Sequence, residues 1–238
     1  MNTPQINEYK AFDSVIHRGL GVKLDLYGVT GFLIRWIMSF LTDRRQRVVM
    51  GDIISVWMEV FSGVPQGSVI GPFLFVVFIN DLSRRIKNKL KIYADDTKIL
   101  SKIRDTEDQK TLQMDLDEAL NWSKEWLLDF NIDKCLIMHY ETNNKESQYQ
   151  MANKKLPKSE SERINYLGVV FNRNLKWREQ VTVCASKANQ MLGMLKKSFT
   201  YLDEYAIKTL YCAFVRPLIE FAVPVWCPFL NQDIKLLE

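Results

Sequence analysis

Two adjacent acidic residues, Asp95 and Asp96, constrain the fold of this chain more than any other feature, because two short apolar runs rich in β-branched residues flank them. That pattern over residues 91–100 predicts a tight β-hairpin with the acids at its tip. On a flat strand the two carboxylates would face opposite sides of the sheet, whereas at a turn both can approach one cation. A solvated turn, where aspartate is common, is the alternative. The hairpin predicts a Mg²⁺ site only if other motifs accompany it.

The composition is that of a folded protein with a mildly basic charge balance. The chain has 238 residues, 47% hydrophobic and 25% charged, enough for one large domain or two small ones. The net charge of +4 permits a polyanionic partner without requiring one. The 4 cysteines form no CxxC pair, so we expect reduced core thiols in an intracellular protein. The apolar run 69–79 is too short to span a bilayer, so no membrane role is expected.

A second informative stretch, residues 62–68, concentrates two glycines and a proline before an apolar run. Gly67 allows a backbone shape or a close ligand approach that a Cβ would block. Gln66 can hydrogen-bond a base or a sugar from such a loop, and a helix that follows presents free N–H groups to an anion. An ordinary turn between a strand and a helix is the alternative reading. We expect one helix over Val69–Ile86 after the loop.

The rest of the chain predicts a mixed α and β body followed by a helical tail. Phe32–Leu41 is apolar almost all round, so this helix is expected to be buried. Residues 141–162 are polar and predict a loop. A polar turn with Arg44, Arg45 and Arg47 is expected to be a solvated face, with phosphate contact as the alternative. The further predicted elements are a first strand beginning near Ile6, helices His17–Tyr27, Thr106–Phe130, Arg178–Phe199 and Asp203–Ile219, a strand pair at 47–50 and 56–61, a strand Cys135–Tyr140, and a hairpin over 166–177 that turns at Asn172–Asn174.

Several short motifs follow one another in the order and rough spacing of the palm motifs of reverse transcriptases. They are Lys10-Ala-Phe-Asp13, Gly63-Val-Pro-Gln-Gly-Ser68, Tyr93-Ala-Asp-Asp96, Asn131-x-x-Lys134 and Tyr166-Leu-Gly168. The chain resembles the non-long-terminal-repeat retrotransposon class in particular, and the jockey-like lineages within it. The resemblance covers residues 6 to 230, and five motifs in order make it specific.

The resemblance implies an α+β fold: a right-hand polymerase palm, in which an antiparallel sheet packs on helices, followed by a helical thumb. It places the palm at 1–150, a linker and primer-grip hairpin at 151–178, and the thumb at 179–238. The implied activity is RNA-directed DNA polymerisation, a nucleotidyl transfer onto a primer 3′ end. The implied cofactors are two Mg²⁺ (or Mn²⁺) ions about 3.5–4 Å apart. The implied partners are an RNA template, a DNA primer and deoxynucleoside triphosphates.

The resemblance also assigns roles to individual residues. Asp95 and Asp96 would bind the metals. Lys134 would lie near the pyrophosphate, and a surface lysine is an equal alternative. The residues expected along the template and the incoming nucleotide are Phe12 as a steric gate, Asp13, Pro65, Gln66, Gly67 and Ser68. The primer grip is expected at Tyr166, Leu167 and Gly168.

Two departures from the family pattern bear on activity. The first metal-binding aspartate of the family lies four residues before the alanine of the Lys-Ala-Phe segment, and here that position holds Asn7. A neutral amide cannot supply the anionic ligand that bridges two metals. Asp13 lies on the wrong side of the segment to replace it, and Glu8 is expected on the other face of the strand. The fingers region is the second departure: the chain is expected to be an amino-terminally truncated copy without it.

The sequence leaves three functional hypotheses open. The first is an impaired RNA-directed DNA polymerase that works with a separate fingers segment. The second is a catalytically silent remnant that still binds nucleic acid through salt-sensitive phosphate contacts. The third is a relic fragment of a mobile element that exposes apolar surface and associates non-specifically. Template specificity, target site, oligomeric state and the choice between nucleus and cytoplasm leave no readable pattern.

Overall fold

The protein divides into two compact units, each with its own buried apolar cluster. The computed structural model describes residues 1–8, 10–141, 144, 146–158, 163–199, 201 and 203–237. The first unit holds residues 1–139 and 144–158, and the second holds residues 140–143 and 159–238. Within the described parts of both units, no helix is long and apolar enough to cross a bilayer.

Strands and helices alternate through the first unit, and helices dominate the second. The strands are β1 Asn2–Asn7, β2 Arg44–Gln46, β3 Val49–Met50, β4 Ile53–Ile54, β5 Met58–Val60, β6 Lys89–Tyr93, β7 Asp96–Leu100, β8 Leu136–His139, β9 Gln150–Met151, β10 Lys154–Lys155, β11 Arg163–Tyr166 and β12 Val169–Asn172. The α-helices are α1 Ala11–Ser14, α2 His17–Leu26, α3 Gly31–Leu41, α4 Gly71–Ile79, α5 Leu82–Arg85, α6 Thr106–Trp126, α7 Arg178–Ser198, α8 Glu204–Leu210, α9 Arg216–Glu220, α10 Val223–Trp226 and α11 Asn231–Leu237. The predicted mixed body with a helical tail is confirmed.

A four-stranded antiparallel sheet in the order β6-β7-β1-β8 forms the centre of the first unit. Because alternate residues of a strand face opposite sides, one face of the sheet carries Ile6, Ile99 and Ile137, all almost fully buried. The opposite face carries Asn7 and Asp96, which are partners across β1 and β7. The sheet and the helices packed on it confirm the predicted α+β class.

Helix α6 shows how local sequence determines its own boundaries. The Asp105 carboxylate accepts hydrogen bonds from the backbone N–H groups of Glu107 and Asp108, at 3.0 and 2.9 Å, so it caps the helix. Leu112, Leu116, Ala119 and Trp122 are buried along one stripe of the helix. The helix ends at Trp126, earlier than the predicted Phe130, because Leu127 adopts a left-handed conformation.

The prediction of one helix over Val69–Ile86 is wrong. Helix α4 ends at Ile79, and the separate short helix α5 begins at Leu82. The buried Lys23 ammonium contacts the Phe78 carbonyl and bonds the Asp81 carboxylate at 2.6 Å, so it satisfies a carbonyl at the end of α4. The Lys23 side chain of α2 therefore bonds groups on both sides of this break. The helical periodicity of the segment does not predict the break.

The expectation that Phe32–Leu41 is buried is also wrong for most of the helix. Ile37 and Leu41 of α3 are buried, whereas Phe32 is 77% exposed and Trp36 is 48% exposed. Helices α2 and α3 pack through one stripe only, and the described residues of the first unit do not cover the other side. An apolar sequence indicates that a helix can be buried, but the extent of its burial depends on the elements that pack against it.

The segment after α3 forms two short antiparallel ladders rather than the predicted pair at 47–50 and 56–61. Strand β2 pairs with β5, and β3 pairs with β4 nearer the tip. Arg44 and Arg45 therefore lie in a strand and not in a polar turn. Arg47 lies over the ring of Trp57, with 4.5 Å from its guanidinium carbon to the ring centroid. Both strands of the outer ladder, β3 and β4, are exposed along their whole length.

Three further predictions need correction. Residues 141–162 include a hairpin formed by β9 and β10, anchored in the core by Tyr149, Met151 and Leu156. The predicted hairpin over 166–177 instead pairs β11 with β12 and turns at Leu167–Gly168, where both residues have positive φ, as a two-residue hairpin loop requires. The cysteines are core thiols only in part: Cys135 and Cys184 are buried, whereas Cys212 and Cys227 are exposed.

The second unit packs its helices on the β11–β12 hairpin. Val169, Val181, Cys184 and Trp226 form its buried cluster, and the Trp226 indole donates a 2.7 Å hydrogen bond to the Phe221 carbonyl. Helix α7 confirms the predicted helix over 178–199. The predicted helix Asp203–Ile219 is present as a continuous helical run that contains a π-helical turn at Tyr211–Val215.

Candidate functional site

The acidic pair lies at the end of the β6–β7 hairpin, as predicted. Tyr93 and Asp96 are the last cross-strand pair, and a positive φ of 50° at Ala94 turns the chain between them. Asp95 is exposed in the turn, and Asp96 is half-buried as the first residue of β7. The Asp95 carbonyl accepts a 3.4 Å hydrogen bond from the Glu8 N–H, so the turn is joined to the end of β1.

Asn7 and Asp96 meet directly across β1 and β7. The Asn7 side-chain amide donates a 2.7 Å hydrogen bond to one carboxylate oxygen of Asp96. The Asn7 carbonyl accepts a 2.7 Å hydrogen bond from the Asn131 N–H, which holds this end of the strand against the segment leading to the 3₁₀ turn Ile132–Lys134. The position at which the resemblance expects a metal-binding aspartate is therefore beside the acidic pair, and its amide is bonded to one of the acids.

This donor set fits a pair of divalent ions poorly. Carboxylate oxygens are the ligands that Mg²⁺ prefers, and Asp95 and Asp96 supply them. The Asn7 amide directs an N–H donor at Asp96 and contributes no charge. Across the residues that the structure describes, no group of three or more His, Cys, Asp or Glu side chains is placed to hold a metal ion. The adjacent carboxylates fit one divalent ion, and a two-ion site lacks its third carboxylate.

Glu8 does not replace the carboxylate that is missing at position 7. Its side chain is 6% exposed, and neither carboxylate oxygen has a hydrogen-bond partner among the described residues. Strand alternation puts it on the face of Ile6, as the sequence predicts. Burial raises the pKa of Glu8 well above its ordinary value, and the negative charge of Asp95 raises it further. A carboxyl group held this way favours its neutral form, which is a poor metal ligand.

Lys98 is a residue near the acidic pair that the sequence analysis missed. It lies two positions after Asp96 on β7, and therefore on the same face of the sheet, opposite Gln5 of β1. Its side chain is 7% exposed. Burial lowers the pKa of Lys98 to about 8, against the opposing effect of the Asp96 carboxylate. Strand alternation alone would have placed positions 96 and 98 on one face, but it does not reveal that the lysine is buried.

A second cluster joins the Lys10–Asp13 segment to the loop at 62–68. The Gln66 amide donates a 2.9 Å hydrogen bond to the Asp13 carboxylate, and the Ser62 hydroxyl donates a 2.8 Å bond to the Asp13 carbonyl. The Phe12 ring stacks on Phe75 of α4, with ring centroids 4.5 Å apart. Two of the motifs that carry the resemblance are therefore in direct contact, although about fifty residues separate them in the chain.

Gly63 makes the close approach of these two segments possible. It has a φ of 90°, and a Cβ at this position would lie 2.8 Å from the backbone of Asp13. Its carbonyl is 2.8 Å from Nε2 of the buried His17, and its N–H donates a 2.8 Å bond to the Val15 carbonyl. This contact gives His17 a structural role in holding the loop.

The other loop residues are ordered by short local bonds. The Ser68 hydroxyl donates a 2.6 Å hydrogen bond to the Pro65 carbonyl and accepts a 3.0 Å bond from the Gly71 N–H at the start of α4. Gly67 has a φ of 80°, and nothing lies within 4 Å of where its Cβ would be. The space beside Gly67 is therefore open, and its role next to a nucleotide or template stays a prediction.

The remaining predicted site residues are Lys134 of the first unit and residues 166–168 of the second. Lys134 is exposed at the end of its 3₁₀ turn, three residues after Asn131, which bonds Asn7. Tyr166, Leu167 and Gly168 belong to the second unit, at the β11–β12 turn. Within that unit, a Cβ at Gly168 would lie 2.9 Å from the ring of Phe221.

The fold and the order of these motifs are those of a known polymerase class. The sequence model of the family "Reverse transcriptase (RNA-dependent DNA polymerase)" matches residues 5–171, and the chain belongs to this family. Within it, the chain is 30% identical over 182 residues to "RNA-directed DNA polymerase from mobile element jockey" of Drosophila funebris, covering 73% of this chain and 20% of that protein. The predicted membership in the jockey-like, non-long-terminal-repeat class is confirmed.

Two further similarities extend the comparison. "Probable RNA-directed DNA polymerase from transposon X-element" of Drosophila melanogaster is 25% identical over 238 residues, which cover 96% of this chain and 26% of that protein. The solved structure of a Candida tropicalis telomerase with a TWJ fragment of telomeric RNA aligns with a TM-score of 0.53 at 13% identity, over 94% of this chain and 38% of that one. At this identity the likeness supports the fold alone. The chain spans 20% to 26% of the length of these two transposon relatives.

Proposed function

We propose that this reverse transcriptase domain holds an RNA template and a DNA primer but transfers nucleotides poorly. The observation that carries the proposal is the 2.7 Å hydrogen bond from the Asn7 amide to Asp96. It lies where the family resemblance expects the first metal-binding aspartate. Phosphoryl transfer depends on positioning and on neutralisation of charge, and a neutral amide weakens the second of these.

The proposed metal ligands are Asp95 and Asp96, with Asn7 as the defective third position. A divalent cation, Mg²⁺ or Mn²⁺, supplies charge stabilisation in enzymes of this chemistry. Among the described residues of this site, the two adjacent carboxylates offer anionic oxygens to such an ion and no third acidic side chain joins them, so we expect one ion bound weakly rather than two bound tightly.

The proposed nucleotide and template wall is the cluster around Asp13. Stacking on Phe75 fixes the plane of Phe12, so the ring can exclude a 2′-hydroxyl at a set position. The bond from Gln66 to Asp13 restrains the amide that would face the template. The same proposal places Lys134 near the pyrophosphate and residues 166–168 against the primer. It assigns 1–150 to the palm, 151–178 to the linker and grip, and 179–238 to the thumb.

A catalytically silent nucleic-acid-binding protein is the second candidate. The neutral Asn7 amide beside Asp96 favours it, because the substitution removes a metal ligand without changing the residues proposed to bind nucleic acid. Binding through phosphate contacts predicts an affinity that falls steeply as salt rises. A relic fragment would instead associate through apolar surface, and Phe32 and Trp36 of α3 are exposed.

Primer extension on an RNA template, with Mg²⁺ or Mn²⁺, tests the proposal. We compare the wild-type chain with Asn7→Asp, Asp95→Ala and Asn153→Asp, where the last adds the same charge at an exposed turn far along the chain. Template–primer affinity is measured in parallel by fluorescence anisotropy at two salt concentrations. We expect weak extension by the wild type, at least tenfold more by Asn7→Asp, no gain in Asn153→Asp, and none left in Asp95→Ala.

Other outcomes would favour a different function for the chain. Strong wild-type extension that disappears in Asp95→Ala would show that the site works despite Asn7. Salt-sensitive binding without extension in any variant would favour the silent binding protein. Absence of both, together with concentration-dependent association in light scattering, would favour the relic fragment.

A further inference from the structure

Lys98 places a positive charge on the same face of the sheet as the acidic pair. Asn7 faces Asp96, and Gln5 faces Lys98, across the same two strands. Two residues of a β-strand span about 7 Å, so the stem of Lys98 begins one step along the face from the Asp96 carboxylate. The lysine is 7% exposed, so its side chain is largely removed from solvent, and charges in such a site interact more strongly than in water.

The charge of this face differs from that of a face built for two dications. Next to the acidic pair, the positive charge of Lys98 offsets one of the two negative charges of Asp95 and Asp96. An aspartate at position 7 would add a third negative charge, and a neutral residue at position 98 would remove the offset. Because metal affinity depends on the charge of the ligand set, an ammonium next to the carboxylates opposes a divalent ion directly. Asn7 and Lys98 therefore both make the surroundings of the acidic pair less negative.

Three other polar residues share this face near Lys98. Gln5 and Asn7 are neutral, and Lys91 lies opposite Lys98 on β6, where it is exposed to solvent. Solvent screens the charge of Lys91 from the carboxylates, whereas the buried ammonium of Lys98 is screened much less. The two lysines are therefore a matched pair, of equal charge and neighbouring position but different burial.

We propose that the Lys98 ammonium supplies a fixed positive charge on the sheet face that carries Asp96. This charge lowers the affinity of the acidic pair for Mg²⁺ and Mn²⁺. The inference deepens the proposed function and rests on Asp95 and Asp96 being its metal ligands. It adds that restoring Asn7→Asp alone recovers only part of the metal binding, because Lys98 still opposes the ion.

The test measures binding of Mn²⁺ to the full chain without nucleic acid, by electron paramagnetic resonance of the free ion and by calorimetry. The variants are Lys98→Met, which keeps the length of the side chain and removes its charge, Lys98→Arg, which keeps the charge, and Lys91→Met. We expect Lys98→Met to bind Mn²⁺ at least tenfold more tightly than the wild type. Lys98→Arg and Lys91→Met should stay within about twofold of the wild type, and the double variant Asn7→Asp/Lys98→Met should bind most tightly.

The controls separate failure of this inference from failure of the proposed function. Equal Mn²⁺ affinities for Lys98→Met and Lys91→Met would overturn the role of Lys98, and so would tight binding of two ions by the wild type. If Asp95→Ala leaves the affinity of Lys98→Met unchanged, the metal ligands of the proposed function are wrong as well. Circular dichroism of each variant shows that it is folded, and Lys98→Arg provides the charge comparison if Lys98→Met is not.

Discussion

Asn7 and Asp96 are direct cross-strand partners, joined by a 2.7 Å hydrogen bond from the amide of one to the carboxylate of the other. An amide opposite a carboxylate is a stable pair in the absence of metal, whereas two carboxylates at this spacing would repel each other. The polar side chains at this end of the sheet therefore pair with each other without a metal ion. The same contact that stabilises the metal-free fold removes the charge that a pair of divalent ions requires.

The buried carboxyl of Glu8 makes a testable contribution to the pH dependence of stability. Its pKa is raised in the folded state, so between the ordinary value of 4.5 and the raised value the folded protein holds a proton that the unfolded chain releases. Stability contributed by this group is present below pH 4.5 and is lost as pH rises through the raised pKa. We therefore expect Glu8→Gln to be more stable than the wild type at pH 7 in metal-free buffer, and to approach it near pH 4.5.

Chemical denaturation across this pH range measures the Glu8 prediction. Glu141→Gln is a control in which an acid of the second unit is neutralised outside the sheet. A constant difference in unfolding free energy between Glu8→Gln and the wild type at every pH would show that Glu8 titrates normally.

Gly63→Ala should destabilise the first unit and displace the loop that carries Gln66. The Cβ would lie 2.8 Å from the Asp13 backbone, and the φ of 90° is unfavourable for alanine. We expect a loss of about 1–3 kcal/mol in the free energy of unfolding. Gly193→Ala is the matched control, because a Cβ there meets nothing within 4 Å and α7 favours alanine over glycine. Equal effects of the two substitutions on urea midpoints would contradict the close approach at Gly63.

The parts of this fold that were predictable are those with local causes. The Asp95–Asp96 hairpin, the Asp105 cap and the stripe of α6 each depend on residues within a few positions of one another. The contact of Asn7 with the acidic pair was expected only through the family resemblance, since nothing local joins positions that lie 89 residues apart.

The wrong predictions concern burial and the pairing of distant segments. The apolar helix α3 lies largely exposed, and α4 stops where Lys23 of another helix satisfies a carbonyl near its end. Lys98 belongs to the same class, since the sequence places it on the face of Asp96 but says nothing about what excludes solvent from it. The turn at Leu167–Gly168 is the exception, because Gly168 is a local turn signal and the prediction nevertheless placed the turn at Asn172–Asn174.

Lys23→Ala should be among the most destabilising substitutions in the first unit. The ammonium bonds Asp81 at 2.6 Å and lies 3.8 Å from the centroid of the Trp126 ring. Removal of the buried ammonium leaves the Phe78 carbonyl without this donor, and leaves the 25% exposed Asp81 carboxylate with the Trp122 N–H and solvent, so we expect a loss of about 1–3 kcal/mol in the free energy of unfolding. Lys102→Ala, at an exposed loop position, should change it by less than about 0.5 kcal/mol. Thermal denaturation followed by tryptophan fluorescence measures both, and a small effect of Lys23→Ala would show that Asp81 finds solvent instead.

Asn7→Asp should change the stability of the protein in opposite directions with and without metal. In EDTA, two carboxylates directly opposite each other on β1 and β7 repel, at a cost of about 0.2–1 kcal/mol, or a fall in melting temperature of about 1–4 °C. In Mn²⁺ the new carboxylate completes a set of three acidic ligands, and binding to the folded state alone raises the melting temperature in proportion to affinity. Asn153→Asp, with the same added charge at an exposed turn, should show neither change. A melting temperature of Asn7→Asp that falls equally in EDTA and in Mn²⁺ would mean that position 7 does not face the cation, and that the acidic pair binds it without β1.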